Sequence, residues 1–297
     1  MSLKESLVSK IQSNRPKLSV SSIKTYVSIL TNIFKALKGT GDDIKFFTDK
    51  DKEILEYLKD KTDQTKKTAL SALFVLTEKQ EYRELMVTTM KTVNDAYKEQ
   101  KKNPKQEENW MSIADIKKIY DGLLVKANSM LSNKEIIQPQ IMMEFLLMAF
   151  LSGCSGIPPR RSLDYAMLKI KDYDPKKDNY YKNTKQGGKF YFNIYKTSAT
   201  YGMQTLDVPA DLNVILKKWI KLNKNEFMLY STNGNRLTSQ SINRILNKIF
   251  GKNISTDMLR HIYLSSVYKN IPALEKMQTL ATEMGHSIGT AMEYIKH

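Results

Sequence analysis

Residues 99–108, EQKKNPKQEE, hold no apolar side chain and include a proline, so they have nothing to place in a hydrophobic core. A stretch of that kind divides the 297-residue chain into two parts, each long enough to build its own interior. We expect a helical domain over 1–102, a connection over 103–109 and a second domain over 110–297.

The first part reads as helical throughout. Ser19 or Ser21 can cap a helix whose apolar positions Ile23, Tyr26, Val27, Leu30, Ile33, Phe34 and Leu37 recur at three and one, as one face of an α-helix requires. Gly39 and Gly41 end it. Asp49–Lys59, Thr65–Glu78 and Glu81–Lys98 give three further helices.

In the second part Ser112 caps a helix through Leu124, and 139–152 is apolar on nearly all faces, as a buried central helix is. Pro158 and Pro159 break the chain. The period then changes. Phe190, Phe192 and Ile194 alternate with polar residues, a loop covers Thr197–Gly202, and Met203, Leu206 and Val208 lead to Pro209, which predicts a β-hairpin. Helices are expected at 211–223, 238–250, 257–270 and 272–284, with Pro272 at a helix start.

Charge narrows the function. Lys plus Arg number 47 against 31 Asp plus Glu, a net +16, and both parts are basic: 21 against 14 in residues 1–105, 26 against 17 in 106–297. Positive charge spread in this way suits a protein that wraps a polyanion, most often nucleic acid. The apolar run Ile141–Leu151, broken by Glu144, is too short to span a bilayer, and no segment joins a basic face to an apolar anchor. The polar N-terminus, MSLKESLVSK, and the single Cys154 point to an intracellular protein without a disulfide framework. Among 40 Lys only seven Arg occur, at 15, 83, 160, 161, 236, 244 and 260; in such a chain an Arg is the choice where a planar fork is needed.

Several sites are excluded. Gly187-Gly188-Lys189 lacks the upstream spacing of a phosphate loop. Asp172, Asp174 and Asp178 would put Lys177 and Asn183 where a calcium loop needs Gly and Glu. Three histidines without a paired motif argue against a zinc hydrolase. No metal or cofactor is expected.

Four pieces of the second part remain: Pro158-Pro159-Arg160-Arg161-Ser162-Leu163-Asp164, Tyr195-Lys196-Thr197, Asp257-Met258-Leu259-Arg260-His261, and Gly285-His286-Ser287 followed by Tyr294. In this order they resemble the tyrosine recombinases, the phage-integrase family, over about 110–297, and the N-terminal helices look like that family's core-binding domain. The family pattern is an Arg with an acid three residues on, a hairpin Lys, a His-x-x-Arg box, a Gly-His and a Tyr near the C-terminus. The resemblance implies a mainly α protein with a small antiparallel β-sheet (α+β): a helical core-binding domain and a recombinase catalytic domain.

The chemistry matches these residue types. Cutting a phosphodiester without metal requires donors for the non-bridging oxygens, a nucleophile, and an acid for the leaving 5′-oxygen. By resemblance Arg161 and Arg260 clamp the phosphate, His286 adds a third donor, Lys196 is the general acid and Tyr294 the nucleophile. Arg161 rather than Arg160 fits, because Asp164 then falls at plus three. Arg160 and His261 join the phosphate-binding set. Asp257 stands where the family carries His, and we expect it to orient Arg260 or His286 rather than to meet DNA.

The resemblance implies a site-specific recombinase or integrase of a virus or mobile element, working through a 3′-phosphotyrosine on double-stranded DNA as a homotetramer, with no membrane partner. The place of action would be the cytoplasm, nucleus or viral factory, depending on host. The alternatives are a type IB topoisomerase and a DNA-binding protein with a decayed recombinase site.

Overall fold

The computed structural model describes residues 2–41, 43–98, 100–132 and 138–268, with Leu274, 276–278 and Ile288. The expected helix over 272–284 lies largely outside these residues. The chain divides into two compact units, 1–101 with 272–297, and 102–271.

The first unit is built from α1 (Leu3–Asn14), α2 (Val20–Ala36), α3 (Phe46–Asp49), α4 (Asp51–Lys59), α5 (Asp63–Thr77) and α6 (Gln80–Lys98). Of the two serines considered, Ser19 is the cap of α2, accepting from the Ser22 amide at 3.2 Å. Ile23, Val27, Leu30, Ile33 and Phe34 are buried as their spacing requires. α1 was not expected. Its buried face is only Leu7 and Ile11, one turn apart, but Ser2 and Glu5 close a capping box at its start. At its end the Asn14 amide donates to the carbonyls of Val75 (2.8 Å) and Leu76 (3.0 Å), which satisfies the last turn of α5. Tyr82 of α6 is fully buried and donates its hydroxyl to Phe47 O at 3.1 Å.

The second unit opens with α7 (Pro104–Asn109), inside the stretch expected to be a mere connection. An Asn103–Gln106 capping box and a proline in the first turn make it helical without apolar residues, and buried Asn109 accepts from the Asn253 amide at 2.9 Å. α8 (Ile113–Ser132) runs past the expected end at Leu124, because Ala127, Met130 and Leu131 continue its buried face. α9 (Pro139–Leu151) is the buried central helix; every residue from Met142 to Leu151 except Glu144 is enclosed.

After α10 (Ser162–Ala166) comes a four-stranded sheet of β1 (Leu168–Lys169), β2 (Asn179–Thr184), β3 (Gly187–Phe192) and β4 (Gln204–Asp207), in the order β1-β2-β3-β4. The expected hairpin is β3–β4, paired antiparallel from Lys189↔Asp207 to Phe192↔Gln204. Ile194 lies beyond β3 and is exposed. Two strands were not expected. β2 hides its period because Asn179, Tyr180 and Tyr181 are all buried, and β1 is two residues long. The sheet is therefore mixed rather than purely antiparallel, since β1 runs parallel to β2.

One face of the sheet sends Tyr181, Phe190 and Phe192 into the core, where Phe150 of α9 stacks on Tyr165 of α10 (4.8 Å) and meets Phe190 edge-on (5.3 Å). α11 (Ser198–Tyr201) lies in the β3–β4 loop, and α12 (Ala210–Leu222), α13 (Ser239–Phe250) and α14 (Thr256–Val267) complete the unit. Gly153, at φ 84° just past α9, lets Tyr263 of α14 pack onto the backbone; a Cβ there would run into the Tyr263 ring.

Candidate functional site

The two prolines hold the approach to α10 extended, and Arg161 is its N-cap at φ −70°, ψ 146°. Its carbonyl accepts from the Asp164 amide at 3.0 Å. The Arg161 side chain is half-buried and makes no hydrogen bond or ion pair among the described residues. Its neighbour is the opposite case. Arg160 donates from Nε to Asp164 Oδ2 (3.0 Å) and from Nη1 to Gln204 Oε1 (2.8 Å). Its guanidinium also lies over the rings of Phe192 (4.2 Å) and Tyr195 (5.1 Å).

Asp164 is 2% exposed. Burial pushes its carboxyl above the ordinary carboxylate range, and Arg160, Arg161 and Arg260 oppose that rise. The third of these comes from a distant part of the chain. α14 starts at the Ser255 cap, which accepts from the Met258 amide, and buries Met258, Leu259 and Ile262. Asp257, Arg260 and His261 consequently fall on its outer face at spacings of three and four. Arg260 Nη1 lies 3.4 Å from Asp257 Oδ1, and His261 Nε2 lies 3.4 Å from Asp257 Oδ2. Asp257 in the first turn also meets the positive end of the helix dipole.

Lys196 sits in the loop between β3 and α11, exposed and without a partner among the described residues. The tyrosine before it is buried and donates its hydroxyl to Gly202 O at 2.7 Å across the loop. His286 and Tyr294 lie outside the described residues.

Asp164 thus senses the charges of Arg160, Arg161 and Arg260, although 99 residues or more of sequence separate Arg260 from the other two arginines. Among the described residues, two of the three guanidiniums have forks not taken up by the interior, Arg161 with no side-chain partner and Arg260 with an exposed carboxylate. A guanidinium fork left open in this way can donate to the non-bridging oxygens of a phosphate. Sequence reasoning missed Gln204 and Asn179, which bind this region through ordinary polar contacts at strand ends; nothing in their spacing marks them. Among the described residues no group of three or more His, Cys, Asp or Glu could hold a metal, and no helix is long and apolar enough to cross a membrane.

The class defined here is a mainly α protein with a small mixed sheet and an arginine-flanked surface on its second unit. Its structure is similar to that of the Tn1549 transposon integrase (residues 82–397) in complex with circular intermediate DNA. That likeness has 15% identity and a TM-score of 0.49, covering 100% of this chain and 96% of the other. It is also similar to the XerA recombinase, with 16% identity and a TM-score of 0.33, covering 97% and 91%. No protein-family model and no curated protein sequence matches the chain.

Proposed function

We propose that this chain is a tyrosine-type site-specific DNA recombinase. The observation that carries the reading is the Arg160–Asp164 ion pair beside Arg161, with Lys196 on a loop tied to the same place through Arg160; the charges of Arg161 and Arg260 also act on the buried Asp164. Arg161 and Arg260 bind the scissile phosphate, with His286 as a third donor and His261 beside Arg260. Tyr294 Oη gives up its proton to solvent and attacks phosphorus, the bond to the 5′-oxygen breaks, and Lys196 gives that oxygen its proton. The product is a 3′-phosphotyrosine and a free 5′-hydroxyl. A 5′-hydroxyl from a second duplex reverses the step and exchanges strands. One phosphodiester replaces another, so no nucleotide is consumed.

The basic surface of both parts supports double-stranded DNA as the partner. Four subunits on two duplexes, a viral or mobile-element origin, and action within the cell where that DNA resides belong to the same reading.

The test is a nicked duplex that loses its short 5′ strand on cleavage and so cannot reseal, incubated in EDTA. The probes are duplexes tiled across the DNA that flanks the chain's own reading frame. A covalent protein–DNA band is expected for wild type and not for Tyr294→Phe. Tight binding without a band from any duplex contradicts the reading and leaves a DNA-binding protein.

A further inference from the structure

Arg160 is the one arginine of the cluster whose fork is consumed by the protein itself, and what it binds is specific. The β3–β4 loop leaves the sheet at Phe192 and re-enters it at Gln204. Arg160 touches both ends. Its guanidinium covers Phe192 and Tyr195 on the outgoing side and donates to Gln204 on the returning side. It is anchored from behind by Asp164 at 3.0 Å. Asn179 strengthens the same junction: its amide donates to Asp164 O (3.0 Å) and Ile194 O (2.8 Å), and its Oδ1 accepts from the Ile194 amide (2.7 Å). The loop between these ties is exposed at Ile194, Lys196, Tyr201 and Met203; its other ties are Asn193, whose side-chain amide donates to Pro175 O (3.1 Å) and Asp178 O (2.6 Å), and the Tyr195 hydroxyl on Gly202 O (2.7 Å).

We infer that Arg160 is a positioning residue: it fastens the loop that carries Lys196 to the segment that carries Arg161, and thereby sets the general acid against the phosphate clamp. This rests on the recombinase reading of Lys196 and Arg161. The argument is geometric. A lysine on a loop with one free face delivers its proton only if the loop's base is fixed relative to the phosphate. The phosphate is held by Arg161, whose backbone is bonded to that of Arg160. A single planar fork, using Nε and Nη1 in different directions and its face on two rings, makes this connection; an ammonium of the same charge does not.

The test uses the full chain and two measurements. First, amide hydrogen exchange is compared between wild type and Arg160→Gln. Exchange across 193–203 is expected to accelerate by about tenfold or more while 142–151 in the core is unchanged. Unchanged exchange in the loop, or equal acceleration in the core, overturns the positioning role. Second, cleavage is followed on duplexes whose scissile 5′-bridging oxygen is replaced by sulfur. A thiolate leaves without a proton, so the general acid becomes dispensable. Arg160→Gln and Arg160→Lys are expected to cleave the oxygen substrate roughly 100-fold more slowly than wild type, and to come within about tenfold of it on the sulfur substrate. Lys196→Ala is expected to behave in the same way. Slow cleavage of both substrates by Arg160→Gln overturns the inference, since Arg160 would then act on the phosphate or on the fold. Undiminished cleavage of the oxygen substrate overturns it too. If wild type forms no covalent product on either substrate, the recombinase reading itself fails, whereas the exchange measurement still decides whether Arg160 holds the loop.

Discussion

Asp257 Oδ1 lies 3.4 Å from Arg260 Nη1, while its second oxygen lies 3.4 Å from His261 Nε2. One exposed carboxylate thus sits between a guanidinium and an imidazole on the outer face of α14. With the Asp257 side chain 72% exposed, the pair contributes at most about 1 kcal/mol to stability. Under the proposed function its consequence is orientation: an acid there restrains the fork that would meet the phosphate.

Asp257→Ala is therefore expected to leave the unfolding midpoint nearly unchanged while slowing covalent-complex formation by about tenfold, an ordinary cost for a displaced transition-state donor. Single-turnover cleavage and urea denaturation of the same preparations check this. A wild-type cleavage rate would remove the orienting role.

The Asp164 carboxyl is raised above its ordinary value of 3.8 by burial, so the folded state holds this proton more tightly than the unfolded state does. With that sign, its contribution to stability falls as pH rises through the window above the ordinary value. Replacing it by Asn removes the dependence. Across pH 4–7 the melting temperature of wild type minus that of Asp164→Asn should decline with rising pH. A difference that grows with pH would mean that the arginines outweigh burial.

Gly153 and Gly41 separate backbone strain from steric conflict. Both have positive φ, 84° and 78°, but a Cβ on Gly41 meets nothing within 4 Å whereas one on Gly153 meets the Tyr263 ring. Gly41→Ala is expected to cost about 1 kcal/mol and Gly153→Ala roughly 2–4 kcal/mol, read by denaturant unfolding. Equal costs would show that the contact between α14 and the end of α9 adapts freely.

What was legible in the sequence follows from how much each element relies on its own residues. α2 and α9 could be read because their burial patterns repeat within one segment, Ile23 to Phe34 and Met142 to Leu151. The β3–β4 hairpin was legible from the alternation of Phe190 and Phe192, yet its partner β2 was not, because Asn179–Tyr181 are buried on both faces and the period of two disappears. α7 was hidden for the converse reason, its helix being set by a capping box and a proline instead of an apolar stripe. In the candidate site the residue types were legible, and the spacing to Asp164 singled out Arg161, but the protein partners of Arg160 were not. Arg160 and Arg161 are adjacent and chemically identical, and the packing of Phe192, Tyr195 and Gln204 shows what the Arg160 fork engages.

The central claim, that this chain cuts DNA through its own tyrosine, is tested most directly by identifying the protein–DNA bond. The covalent product from a nicked duplex would be digested with nuclease and protease and the adduct sequenced by mass spectrometry. The account predicts a nucleotide attached through its 3′-phosphate to Tyr294, with a free 5′-hydroxyl on the released strand. An adduct on another residue, or a 5′-phosphate linkage, would contradict it.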